Sequence, residues 1–322
     1  MRAVRMFAAF AAGMLCATGL AWSQAYPSKP VRVIVPFPPG GANDIVGRIV
    51  MAKLSEQLGQ TFFIENRAGA GGTIGTAVVA QSPPDGYTLL IQTVASHASN
   101  PNLYKKLPYD ALNDFVGITA LGRLVGVLTV HPTLPVRSVK QFIALAQRRP
   151  KEILFGHAGF GSFIHLSEVL FESAAHIQVT EVPFKGGGPA VVGLISGETG
   201  AMIAGIGDII EHLKAKRAIP LGVASAQRMA LLPDVPPIAD TIPGFEVETW
   251  VSAFAPAGTP KAIIEQLNTE LGNALRDPVV ASKLSAVTYD PIHTSPEQLA
   301  QRLRADYDKI GKAFSKLGVK ID

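Results

Sequence analysis

Four short stretches join a strand to a helix through glycine: PFPPGGAND at 36–44, ENRAGAGGTIG at 65–75, FGHAGFGSF at 155–163 and PFKGGGPA at 183–190. Glycine lets the backbone adopt positive φ and lacks the Cβ that would keep a ligand away. The helix that follows offers unpaired N–H groups and the positive end of its dipole. One such loop reads as a tight turn. Four of them, two in each half of the chain, read as an anion-binding cleft built from backbone donors.

Other chemistries fit less well. A dinucleotide fingerprint needs glycines at relative positions 1, 3 and 6; Gly69 and Gly71 comply, but Ile74 stands at the sixth. The chain contains no Gly-Lys-Ser/Thr phosphate loop. Ser162 sits in GFGSF, where Phe163 replaces the glycine of a nucleophile elbow. His157 and His165 lie five residues before and three after it, so Ser162 reads first as a helix N-cap; a secreted α/β hydrolase using Ser162 is the rival reading. The seven histidines are scattered without ligand spacing, so neither metal nor cofactor is expected. Arg67 either clamps a carboxylate or pairs with Glu65 or Asp85, with the pairing favoured. Lys185 stands at a cleft rim or in solvent, and Phe37, Phe160 and Phe184 either wall a pocket or pack a hinge.

These loops need a parallel α/β framework. VRVIVPF, TFFIEN and TLLIQTV read as strands separated by helices at 42–58 and after Gly72, a β-α-β-α-β unit whose loops open at the strands' carboxyl ends. In the first helix Ile45, Ile49, Leu54 and Leu58 mark the inward stripe, and Asn43 or Asp44 can cap its start. A second alternating series begins near Val125 with LVGVLTV. It continues through a helix at 139–149, with Phe142, Leu145 and Ala146 inward, then ILFGHAG, QVTEVPF, AMIAGI and PLGVAS. Helices at 260–276 and 295–317 close the chain. Two α/β halves with the C-terminal helices returning to the first is the simplest topology, and it places a cleft between them.

The 322 residues are 48% hydrophobic and 17% charged, enough for more than one core. Residues 1–25 have Arg2 and Arg5, an uncharged apolar run from Met6 to Trp22 and small residues at Ser23 and Ala25. That layout predicts a cleaved secretory signal rather than a membrane anchor. Cleavage would remove Cys16, the only cysteine, and leave no disulfide or thiolate chemistry. The 29 basic residues then fall by two against 25 acidic ones, a balance that gives no sign of nucleic-acid binding.

The linked order of YPSKPVRVIVPFPPGGANDIVGR, ENRAGAGGTIGT, SPPDGYTLL, FGHAGFGSFIHLSEVLF, VPFKGGGPAVVGLISGE and APAGTP resembles the substrate-binding proteins of tripartite tricarboxylate transporters, the Bug receptors. The resemblance implies a type II periplasmic-binding-protein fold of the Venus flytrap kind, with domain one at 26–124 plus 250–322 and domain two at 125–249. It implies a periplasmic, non-enzymatic, monomeric receptor that closes on a small carboxylate and serves membrane transporter subunits or a sensor protein. By that resemblance Phe37, Pro38, Pro39, Gly40, Gly41 and Asn43, with Asn66, Ala70, Gly71 and Gly72, pinch the carboxylate, and Thr93 lies beside them. From the second domain His157, Phe160, Gly161, Ser162, Lys185, Gly186, Gly187 and Asp208 close over the other end. The sequence departs from the family pattern at His157, Ala158, Phe160, Gly200 and 204–208. These departures point to a ligand whose far part is apolar or aromatic.

Overall fold

The structure is a computed structural model and describes residues 26–317; the expected signal segment lies outside them. The strands are β1 (Val31–Val35), β2 (Phe62–Asn66), β3 (Thr88–Thr93), β4 (Phe115–Val130), β5 (Leu154–His157), β6 (Thr180–Pro183), β7 (Ala201–Gly205), β8 (Ile219–Val223), β9 (Glu248–Pro256) and β10 (Asp290–Pro291). The helices are α1 (Ala42–Leu58), α2 (Thr73–Ala80), α3 (Val94–Leu103), α4 (Val139–Arg148), α5 (Phe163–Ala175), α6 (Gly187–Ser196), α7 (Ile206–Lys214), α8 (Lys261–Arg276), α9 (Pro278–Ala286) and α10 (Pro296–Leu317).

β1 pairs in parallel with β2 and β3, the expected β-α-β-α-β unit. Its Val31, Val33, Ile34 and Val35 are buried, as expected of a parallel strand covered on both faces, with only Arg32 interrupting the apolar run. The path then runs β2-β1-β3-β9-β4-β7-β5-β6. The decisive element is β4, at 16 residues roughly 50 Å of extended chain. Its residues 115–125 pair with β9, and 126–130 pair with β7 and β8. One strand therefore belongs to both halves, and the register of β4 on β9 slips twice, between Gly117 and Thr119 and between Ala120 and Gly122. Such bulges bend and twist a strand pair, as a hinge requires.

The sequence reading began this strand near Val125 and gave TWVSAFAP no strand; β9 occupies that segment. α3 forms in the Asn- and Pro-rich stretch after β3 despite Pro101, an element beyond those expected. Thr93 caps α3 by accepting from the Ser96 N–H. In α1 the buried stripe is Val46, Val50 and Leu54; Ile45, Ile49 and Leu58 are only half-buried, so the predicted face was rotated. Leu145 of α4 is likewise half-buried, while Phe142 and Ala146 are fully inside. The C-terminal helices return to the first half as expected. Gln57 donates to Glu270 at 2.8 Å, and the Asn268 amide donates to the Ile118 and Thr294 carbonyls at 2.8 Å each.

Candidate functional site

Five helices begin at one cavity between the halves. From the first half come Phe37, Pro38, Pro39 and Gly41 with Ala42 and Asn43 of the first turn of α1, and Thr93 and Ser96 at the start of α3. From the second come the N-cap Ser162 with Phe163 and Ile164 of α5, Gly187 and Gly188 of α6, and Gly205 at the end of β7 with Asp208 of α7. Leu124 of the shared strand and Ala158 complete the wall. The cavity is narrow, about 40 Å³. Among the described residues the N–H groups of Ala42, Asn43, Phe163, Ile164, Gly187 and Gly188 have no hydrogen-bond partner in the protein. A helix N-terminus stabilises an anion by roughly 0.3–2 kcal/mol, so five around one space can hold a carboxylate without a cation. Among the described residues no lysine, arginine or histidine lines this cavity.

A second, outer cavity of about 390 Å³ shares Phe37, Pro38 and Ala158 with the first. Ala68, Gly69, Ala70, Gly71 and Gly72 form one side of it. Gly159, Phe160, Phe184 and Lys185 form the other, with Tyr104 between. All three loop phenylalanines are thus wall residues here. The halves touch across it. A Cβ on Gly71 would lie 1.8 Å from the Phe160 carbonyl oxygen, and a Cβ on Gly186 would lie 2.8 Å from Pro38.

Five of the expected ligand contacts line neither cavity. Gly40 is exposed, and its N–H donates to the Asp44 carboxylate at 2.9 Å, so it is a spent donor. Asn66 is a brace: its amide donates to the Phe37 carbonyl and to Asp44, each at 3.0 Å, and accepts from Arg48 at 3.0 Å. Burial pushes the Asp44 carboxyl up, but Arg48, the Gly40 N–H and Asn66 together hold it below its ordinary value. Gly161 lies against Asn100, where a Cβ would meet Oδ1 at 2.0 Å, and Gly186 lies against Pro38. His157 is fully buried beside Phe160 and His165, at ring distances of 4.9 and 4.8 Å. Burial lowers its pKa to about 4, so it is a neutral packing group. The cap of α1 is Gly41 rather than Asn43 or Asp44.

Ser162 is an N-cap, its hydroxyl accepting from the His165 N–H at 3.1 Å. The His165 ring accepts from the Gly161 N–H, and burial followed by His157 lowers its pKa to about 3. No histidine ring is hydrogen-bonded to the Ser162 hydroxyl among the described residues. Arg67 pairs with Glu65, the favoured reading. Ala42, Ala158 and Gly188 of the inner wall lie inside the expected loops without being named as contacts, whereas Ser96, Leu124, Phe163, Ile164 and Gly205 lie outside the expected ligand contacts. Thr93-x-x-Ser96 is a capping pattern that could have found Ser96; Leu124 is an ordinary strand residue that carries no signal.

Cavity, hinge strand and helix starts together describe a two-domain solute-binding fold, and similarity agrees. Residues 46–319 match the tripartite tricarboxylate transporter family receptor. The chain belongs to that receptor family. Protein BugT of Bordetella pertussis (strain Tohama I) is 34% identical over 92% of this chain and 91% of its own. Among solved structures, R. palustris Rpa4515 with adipate superposes with a TM-score of 0.88 at 34% identity, covering 92% of this receptor and all of that chain. MatC from Rhodopseudomonas palustris, with bound malate, gives 0.85 at 31% identity, covering 89% and 99%. The receptor's relatives are binding proteins, and its fold is theirs. No helix among the described residues is long and apolar enough to cross a membrane.

Proposed function

We propose that this receptor is a periplasmic protein that captures a small carboxylate by closing its two halves, 26–124 with 250–322 against 125–249, about β4 and β9. The observation that carries the reading is the meeting of five helix N-termini, with unpaired N–H groups on α1, α5 and α6, at a cavity that has no cationic side chain. The carboxylate sits on the first turn of α1 beside Phe37–Asn43 and Thr93. Ser162 and Gly187 approach from the other half, and waters satisfy the remaining lone pairs. Phe37, Leu124, Phe163 and Ile164 give the ligand an apolar middle. The outer residues Ala70, Gly71, Gly72, Phe160 and Lys185 act in closure and entry rather than in seating the anion. As a monomer in its closed shape, the receptor presents the ligand to membrane transporter subunits or to a sensor protein. Adipate and malate, bound by relatives, define the class to screen first.

A thermal-shift screen with adipate, malate, hexanoate and benzoate tests this. A bound ligand raises the melting temperature in a concentration-dependent way. A midpoint unmoved by any of these acids at millimolar concentration would overturn the reading.

A further inference from the structure

Among the described residues Asp208 is the one charged group on the inner wall, and its charge has the wrong sign for an anion site. It stands in the first turn of α7, packed where Gly187 of α6 and Gly205 of β7 lack side chains; a Cβ on either would come within 2.9 or 3.1 Å of its Oδ2. Its Oδ1 is buried and has no hydrogen-bond partner. The neighbours from each packed element are Leu124, Ile164, Gly187, Gly205 and, beneath α7, Tyr289. None is a cation. Tyr289 is buried with an unpartnered hydroxyl, and first burial, then Asp208, keeps it from ionising. The helix that supplies Ile164 also carries a second titratable group deeper in the same half, His165 and Glu168, with Glu181 of β6 at 3.8 Å from His165.

A half-buried carboxylate whose buried oxygen has no partner is disfavoured in its charged form, and a second anion in the same narrow space adds repulsion. Two carboxyl groups so placed resolve the conflict by sharing a proton. We infer that Asp208 enters the complex as a neutral acid whose O–H donates to a ligand oxygen, so that the receptor captures a carboxylate and a proton together. This rests on the carboxylate reading of the cavity. Burial already pushes the free Asp208 carboxyl up to about 7, so little stands in the way of its protonation. The balance is simple: an ionised Asp208 takes one proton from solvent, the ligand stays a carboxylate, and no bond other than O–H forms. The sign follows from linkage. A complex whose acid has a higher pKa than the free protein loses affinity as pH rises above the free value, by roughly tenfold per unit.

Isothermal titration calorimetry of the full chain with hexanoate and with adipate, in two buffers of different ionisation enthalpy, counts the protons. At about pH 8.5 uptake should approach one proton per ligand, and at about pH 5.5 it should be near zero. Asp208→Asn keeps a donor and cannot titrate, so it should abolish both the uptake and the pH slope. Binding without uptake at pH 8.5, or proton release, overturns the inference and leaves the carboxylate reading standing. Uptake that persists in Asp208→Asn and vanishes in Glu168→Gln assigns the proton to the deeper group and also overturns it. Failure of both acids to bind at either pH removes the inference together with the reading beneath it.

Discussion

The two glycine loops of the first half differ in what their glycines do. Pro38-Pro39-Gly40-Gly41 ends at α1, and its value lies in the donors just beyond it, the free N–H groups of Ala42 and Asn43. Gly69-Ala70-Gly71-Gly72 sits at positive φ throughout and, at Gly71, presents bare backbone to the Phe160 carbonyl of the opposite half. In the proposed reading the first loop holds charge, while the second lets two surfaces meet. Similar composition therefore serves electrostatics in one place and close approach in the other.

Substitutions can separate these roles. The largest effect is expected at Gly71→Val, whose side chain would overlap the Phe160 carbonyl and prevent closure. Affinity for the best carboxylate should fall at least roughly a hundredfold, about 2.8 kcal/mol, while the open protein stays folded. Calorimetry with circular dichroism checks this, and unchanged affinity would dissolve the contrast between the loops. Gly187→Ala should cost roughly tenfold, because its Cβ would crowd Asp208 at 2.9 Å inside the inner cavity.

At Gly40, φ is +85° but the space is open. Gly40→Ala should therefore lower stability by about 1 kcal/mol through strain, with affinity changed less than about threefold. A loss as large as that at Gly71 would restore Gly40 as a ligand donor. Ser162→Ala removes a cap worth about 1 kcal/mol and should lower the melting temperature by a few degrees. Ester turnover in the wild type that disappears in this variant would reinstate the enzymatic rival.

The smallest effect concerns pH. The Asp44 carboxyl is held below its ordinary value, so its contribution to stability is present above that ordinary value and is lost as pH falls through the lower folded one. A melting series from about pH 6 to pH 3 should fall more steeply for the wild type than for Asp44→Asn. Parallel curves would mean that the Asp44–Arg48–Asn66 brace does not hold the loop.

Much of this was legible residue by residue. The β-α-β-α-β unit, the helix at 42–58 and the N-cap role of Ser162 follow from periodicity and capping chemistry, which act over a few residues. Asn66 and His157 misled because a loop position says where a residue lies along the chain and not which way its side chain turns. Asn66 turns inward to Phe37 and Asp44, and His157 sinks among rings. Leu124 and β9 were hidden for another reason: a strand that pairs with partners far along the chain shows no local mark of its register.

What the order of residues settled here is the set of glycine-rich junctions and the helices that follow them, because backbone freedom and helix starts are local properties. What only the folded chain decided is which junctions meet. The long β4 brings five helix ends to one cavity and sends Gly69–Gly72 to another, and it places Asp208 without a partner among backbone donors. Charge balance at a site depends on distances between segments far apart in the chain, and those are fixed by packing.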